Sequence, residues 1–271
     1  MRSKGLFNEA NLYSRIIEKI FFSKYQAGDL VVEFERRDIE KFARQLKLRL
    51  PKNLGDLIYS FRFRVPLPKS ILQVATKGRS WTIELAGRAR YRFSLHKTVI
   101  IVPNTNLTTT KIPDSTPGVI AKYALSDEQS LLAKVRYNRL IDIFTGVTCY
   151  SLQSHLRTTA RGLGQVETDE LYVGIDKRGI HYVFPIQAKG GNDKLSIVQI
   201  GQDAAVCEER FTSLVCRPVG AQFLGADVIV LYEFEKTRDG FRVSSEKHYR
   251  LVPPDEVTTA DLESYCRRLA D

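Results

Sequence analysis

The apolar periodicities of this 271-residue chain predict an α/β (α+β) fold in two parts. Three observations carry that expectation. The first hundred residues read as helices closing on a hairpin and hold the positive charge. A Thr-, Asn- and Pro-rich stretch, PNTNLTTTKIPDSTPG, then interrupts the pattern over residues 103–118. The remainder reads as helix, three strands, helix and further strands. The expected organisation is a basic domain over 1–102, a linker over 103–118 and a second domain over 119–271.

Net charge is +10, and its distribution says more than its size. Residues 1–100 hold 21 Lys+Arg against 9 Asp+Glu, a surplus of 12, whereas the other 171 residues hold 20 against 22. Between residues 61 and 97 nine basic side chains face one acid, Glu84. A cationic surface of that density suits a polyanion such as DNA, although a merely solvated basic face would have the same composition. No apolar run is long enough to span a bilayer, and the N-terminus lacks the apolar segment of a secretory signal, so a cytoplasmic protein is expected. Cys149, Cys207, Cys216 and Cys266 form no CxxC pair and read as free thiols, and the four histidines read as structural or surface groups.

In the first part, Ile16, Ile17, Ile20 and Phe21 recur at helical spacing, GDLVVEF is a short extended piece, and Ile39, Phe42 and Leu46 mark a second helix stopped by Pro51. Asn53 is placed to cap a short third helix. SWTIELAG and RARYRFSL then form a hairpin turning at Gly87 and Arg88, with Trp81, Tyr91 and Phe93 as core and Arg88, Arg90 and Arg92 on the opposite face. Three helices followed by a basic hairpin is the order of a winged helix-turn-helix, in which a helix enters the major groove and the hairpin lies along phosphates. The candidate DNA-binding residues are Lys52, Arg62, Arg64, Lys77, Arg79, Arg88, Arg90 and Arg92.

The second part opens with SDEQSLLAKVRYNRLIDIFTG, where Ser126 is a candidate cap and Leu131, Val135, Leu140 and Phe144 give an apolar stripe ended by Gly146. Strands follow at VTCYSL, VETDELYVGI and HYVFPIQAK, then a helix at LSIVQIGQDAAVCEERF, strands at SLVCRPVGAQFL, DVIVLYEFE and EKHYRLV, and a last helix capped by Thr258 or Thr259. The turn from Asp176 to Gly179 makes the second and third strands a hairpin. Facing residues of a hairpin have a constant sum, so Asp169 lies nearly opposite Gln187, and Lys189 shares the face of Gln187. A carboxylate and an amide oxygen, with the backbone carbonyl of Ala188 and waters, can coordinate Mg²⁺, and an adjacent ammonium can position water and offset charge on a phosphate.

The pattern Glu167-Thr168-Asp169, a hairpin, then Ile186-Gln187-Ala188-Lys189, set in helix–strand–strand–strand–helix–strand order, resembles the PD-(D/E)XK nuclease superfamily, which includes type II restriction endonucleases and Holliday-junction resolvases. The resemblance covers about residues 127–235. It implies a restriction-endonuclease-like mixed central sheet flanked by helices and Mg²⁺-dependent hydrolysis of DNA, with Mn²⁺ as a substitute ion. By that resemblance Asp169 is the metal-binding acid and Lys189 the water-positioning residue, with Gln187 standing where glutamate is commoner. Glu167 is the preferred additional acid, because it shares the face of Asp169 by alternation while Glu170 lies on the other. Glu128 and Asp142 are both available as an acid from the first helix, and Gln199 and Gln202 are accessory candidates on the following helix. The expected activity is a metal-dependent endodeoxyribonuclease acting on double-stranded DNA, with a homodimer supplying one site per strand. The competing readings are a non-enzymatic winged-helix DNA-binding regulator and a structure-specific nuclease for branched DNA or RNA.

Overall fold

The structure, a computed structural model, describes residues 3–51, 53–63, 65–97, 101–123, 128–160, 163–190, 194–225, 227–238 and 240–268. The chain is mixed α and β and divides into two compact units: residues 1–98 with 161–164, and residues 99–160 with 165–271.

The first unit contains α1 (Ser3–Lys24), β1 (Val31–Glu35), α2 (Arg36–Gln45), α3 (Leu54–Phe63), α4 (Lys69–Gln73), β2 (Arg79–Gly87) and β3 (Arg90–Lys97). β1, β3 and β2 form an antiparallel sheet in that order. Its core is aromatic: Phe21 of α1 meets Trp81 and Phe93 edge to face, each at 5.0 Å between ring centres. Ile16, Ile17 and Ile20 of α1, Ile39 and Phe42 of α2, and Tyr91 are buried with them. Each such side chain removed from water contributes about 1.5–3 kcal/mol, which makes this cluster the main stabilising feature of a small unit. Asn53 accepts from the Gly55 amide at 3.0 Å and so caps α3 as its sequence position suggests. The outer face of β2 and β3 is polar and self-paired. Glu84 accepts from Arg92 at 2.7 Å and Ser94 at 3.0 Å, and its other oxygen lies 2.7 Å from His96. Burial pushes the Glu84 carboxyl up, but these contacts outweigh it and hold the group at about 2.

The second unit is built on an eight-stranded mixed sheet flanked by helices. Its elements are β4 (Thr109–Pro113), α5 (Gly118–Tyr123), α6 (Glu128–Tyr137), α7 (Leu140–Thr145), β5 (Thr148–Ala160), β6 (Gly164–Ile175), β7 (His181–Lys189), α8 (Ile197–Arg210), β8 (Val215–Cys216), β9 (Val219–Leu224), β10 (Val228–Thr237), β11 (Gly240–Val252) and α9 (Thr259–Cys266). Strand order is β4-β11-β10-β9-β7-β6-β5, with β8 beside the start of β7. β7 runs parallel to β9, as the α8 crossover requires, and β4 runs parallel to β11. Alternation along β10 feeds two cores: Ile229 and Leu231 pack with Leu131, Leu132 and Val135 of α6, whereas Val230 and Tyr232 pack with Leu195 and Ile200 of α8 and its approach.

The structure departs from the sequence expectations at several places: the first unit has a fourth short helix, α4, and the strand expected at SLVCRPVGAQFL is split into β8 and β9. The stretch expected as a linker supplies β4, an edge strand of the large sheet. The single helix expected through residue 145 is two helices, because Arg139 takes a left-handed backbone (φ 50°) while the Asn138 side chain ties to the Ser115 amide and Thr116. Its expected cap, Ser126, lies outside the described residues. Finally, β5 and β11 run to 13 residues each, well beyond the short apolar segments that suggest them. Among the described residues no helix is long and apolar enough to cross a membrane.

Candidate functional site

The hairpin of β6 and β7 turns on Asp176, whose Oδ1 accepts from the amides of Arg178 and Ile180 at 2.9 Å each, with Gly179 at positive φ (79°). That turn fixes the register from Ile175↔His181 to Glu170↔Ile186. The pairing ends there, and one residue beyond it Asp169 Oδ2 accepts from the Ala188 amide at 2.8 Å. Ile186 and Ala188 point into the core beneath α6, so alternation sends Gln187 and Lys189 the other way.

Lys189 Nζ lies 2.9 Å from Glu128 Oε1, at the first turn of α6. Of the two helix acids that the sequence leaves open, Glu128 is therefore the one beside this hairpin. Asp142 is held by Arg139 and the Cys149 amide instead. Burial pushes the Asp169 carboxyl up; the Ala188 amide and Lys189 pull it back, Glu128 adds to the rise and His155 opposes it. Asp169, Glu128, Lys189 and His155 thus share one electrostatic neighbourhood.

Gln187 is 1% exposed. Its Nε2 donates to the Glu167 carbonyl at 3.0 Å and to Asp203 Oδ2 of α8 at 2.8 Å. Asp203 also accepts from the Thr168 hydroxyl at 2.7 Å. Its carboxyl is pushed up to about 8 by burial, against the pull of Thr168 and Gln187. Sequence reasoning missed Asp203, yet a signal exists: it is the one acid in the buried stripe Ile200, Ala204, Cys207 of α8. His155 was missed too. It stands at a positive-φ position (49°) of β5, its Nε2 2.9 Å from Gln129 Nε2.

Other candidates separate from this cluster. The Glu167 carboxylate, the preferred extra acid, pairs with Arg157 at 3.0 Å, and only its backbone carbonyl engages Gln187. Glu170 is buried on the α6 side against Arg136 at 2.7 Å and Ser151 at 2.6 Å. Gln202 is buried on α8 and Gln199 half-buried. A recess of about 270 Å³ lined by Arg136, Arg139, Asp142, Cys149 and Tyr172 lies on the α6 side and includes neither Asp169 nor Lys189.

Among the described residues no group of three or more His, Cys, Asp or Glu side chains is arranged to hold a metal. A hard cation would therefore need mixed oxygen donors: the Asp169 carboxylate, the Gln187 amide oxygen and the Ala188 carbonyl, with Glu128 nearby. That donor set has the chemistry Mg²⁺ prefers, and the Asp169 carboxyl, which burial pushes up, is the group whose charge a cation beside it would stabilise.

In the first unit, Lys77, Arg88 and Arg90 are exposed and Arg79 half-exposed. Arg92 is tied to Glu84, and burial lowers the half-buried Arg62 beside the same acid. The surface cations are thus fewer than alternation along the hairpin suggests. Lys52 and Arg64 lie outside the described residues. Comparison of the chain with protein-family models gives no match, and comparison with curated proteins gives none either.

Proposed function

We propose that the protein is a Mg²⁺-dependent DNA endonuclease of the PD-(D/E)XK type, with a winged-helix first unit that binds the duplex and a second unit that hydrolyses it. The observation that carries this reading is the meeting of Asp169, Glu128 and Lys189 at the end of the β6–β7 hairpin, beside Gln187. Helix, strand, three helices of which the last, α4, has five residues, and then the β2–β3 hairpin, which joins β1 in a sheet of order β1-β3-β2, is the order that supports the winged-helix half. The exposed Lys77, Arg88 and Arg90 would supply its phosphate contacts.

Asp169, the Gln187 amide oxygen and the Ala188 carbonyl would hold the ion. When bound, Mg²⁺ would polarise the phosphodiester and make water a better nucleophile. The Ala188 amide fixes one Asp169 oxygen and leaves the other for the site. Lys189, an ammonium with three N–H donors steered by Glu128, would donate to the attacking water or to a phosphate oxygen as negative charge develops there. Cutting both strands of a duplex takes two such sites, which a homodimer would provide.

The test is plasmid cleavage with Mg²⁺ by the wild type and by Lys189→Ala. The wild type should nick or linearise the plasmid and the variant should lose at least about 100-fold in rate, the usual scale for a group that stabilises developing charge. Equal cutting by both removes Lys189 from the chemistry. Salt-dependent DNA binding without cleavage of duplex, single-stranded or junction substrates would instead favour a DNA-binding regulator.

A further inference from the structure

We propose that Asp203 is the positioning residue for Gln187: it holds the side-chain amide so that Oε1, not the NH₂ group, is offered to the cation, and it does so without ligating the cation itself. The inference rests on the nuclease reading above.

An amide side chain can present either end, so something must select one. Here both hydrogens of Gln187 Nε2 are claimed on one side, by the Glu167 carbonyl at 3.0 Å and by Asp203 Oδ2 at 2.8 Å. A flipped amide would set Oε1 against the Glu167 carbonyl oxygen and cost the Nε2 hydrogen bond to Asp203 Oδ2, inside a region where Gln187 and Asp203 are each 1% exposed and no water would make up the loss. The amide is therefore locked with Oε1 on the branch away from Asp203. Asp203 is itself fixed: Thr168 donates to its other oxygen at 2.7 Å, and it rides in the buried stripe of α8 among Ile200, Ala204 and Cys207. With one oxygen turned to Thr168 and the other to Gln187, Asp203 acts on the ion through the amide.

The same contacts explain the residue type. A glutamate at position 187 would bring a carboxylate against the Glu167 carbonyl oxygen and make it share a proton with Asp203, whereas the glutamine amide donates to both oxygens. Gln187 and Asp203 are a matched pair.

Two variants separate positioning from ligation. In Asp203→Asn, Oδ1 can still accept from Gln187 and the new NH₂ can donate to the Thr168 hydroxyl, so the amide stays locked. Asp203→Leu keeps the branching at Cγ, at a somewhat larger volume, but removes the acceptor. Mn²⁺ affinity, measured by calorimetry on the full chain without DNA, should stay within about threefold of wild type for the asparagine variant and fall by about tenfold or more for the leucine variant, the scale set by loss of an outer-shell partner. Wild-type affinity in the leucine variant overturns the inference. An equally large loss in both variants also overturns it, because it would make the charge of Asp203 the active element. Should the leucine variant fail to fold, Asp203→Ala reads the same quantity with less volume in the core. A wild type that binds no Mn²⁺ sinks the nuclease reading and this inference with it; Mn²⁺ binding that is indifferent to Asp203 sinks this inference alone.

Discussion

Replacing Asp203 by asparagine should flatten the pH dependence of stability in the second unit. Burial pushes the Asp203 carboxyl up to about 8 from an ordinary value of 3.8. The folded state therefore binds this proton more tightly than the unfolded chain does. The stabilisation is complete below about pH 4 and is lost as pH rises through about 8. A span of about four pH units, at about 1.4 kcal/mol each, sets a ceiling of about 6 kcal/mol; relaxation and water entry around an ionised Asp203 bring the expected loss to about 2–3 kcal/mol. Asparagine can accept from Gln187 and turn its NH₂ to the Thr168 hydroxyl, which now donates to Asp203, and it has no proton to release. In EDTA the variant should match the wild type near pH 4 and exceed it near pH 9. Trp81, the one tryptophan, belongs to the first unit, so its fluorescence does not follow this change. Urea titrations read by hydrogen exchange of β7 and α8 amides do. Parallel pH profiles for the two proteins would refute the reasoning.

Three further outcomes follow from contacts elsewhere. Arg136→Met leaves the Glu170 carboxylate, which is 0% exposed, without its cation, and urea unfolding at pH 7 should show a loss of about 3–5 kcal/mol, partly recovered in Arg136→Met/Glu170→Gln. At Gly174 an added Cβ would meet Val147 at 2.8 Å, Cys149 at 3.0 Å and Phe184 at 3.1 Å, so Gly174→Ala should cost about 1–3 kcal/mol and lower the melting temperature. If the exposed Arg88 and Arg90 meet phosphates, Arg88→Ala/Arg90→Ala should weaken duplex binding at all sequences and reduce the slope of log affinity against log salt by about 2, whereas an unchanged slope would place the DNA elsewhere.

Local pattern carried much of this protein into view. The hairpin register follows from one turn, because Asp176 and Gly179 allow only a tight reversal and the pairing then counts outward to Glu170 and Ile186, which leaves Asp169 beside the Ala188 amide. Trp81, Tyr91 and Phe93 are core because strand alternation has one buried face. What stayed hidden depends on contacts between distant segments. Glu128 and Asp142 are both acids of the first helical stretch, but they lie 14 residues apart on either side of the break at Arg139, and only the fold shows which end meets Lys189. Glu167 shares strand parity with Asp169, yet Arg157 on the adjoining strand captures its carboxylate. Asp203 sits 16 residues beyond Gln187, and the α8 crossover that joins them has no signature in either segment alone. The Thr-rich stretch 109–113 has little apolar content because a parallel edge strand needs a partner's backbone more than a core.

That edge strand has a practical corollary for dissecting the protein. The Lys111 amide donates to the Tyr265 hydroxyl at 2.9 Å, Lys111 Nζ reaches Asp261 at 3.0 Å, and the Asp114 amide donates to the Val252 carbonyl at 2.8 Å. A fragment begun at residue 119, where composition invites the cut, would strip α9 of its anchor and lay bare the flank of β11 to any passing strand. Expressed alone, the second half should stay dispersed only when the scissors fall upstream of Thr109.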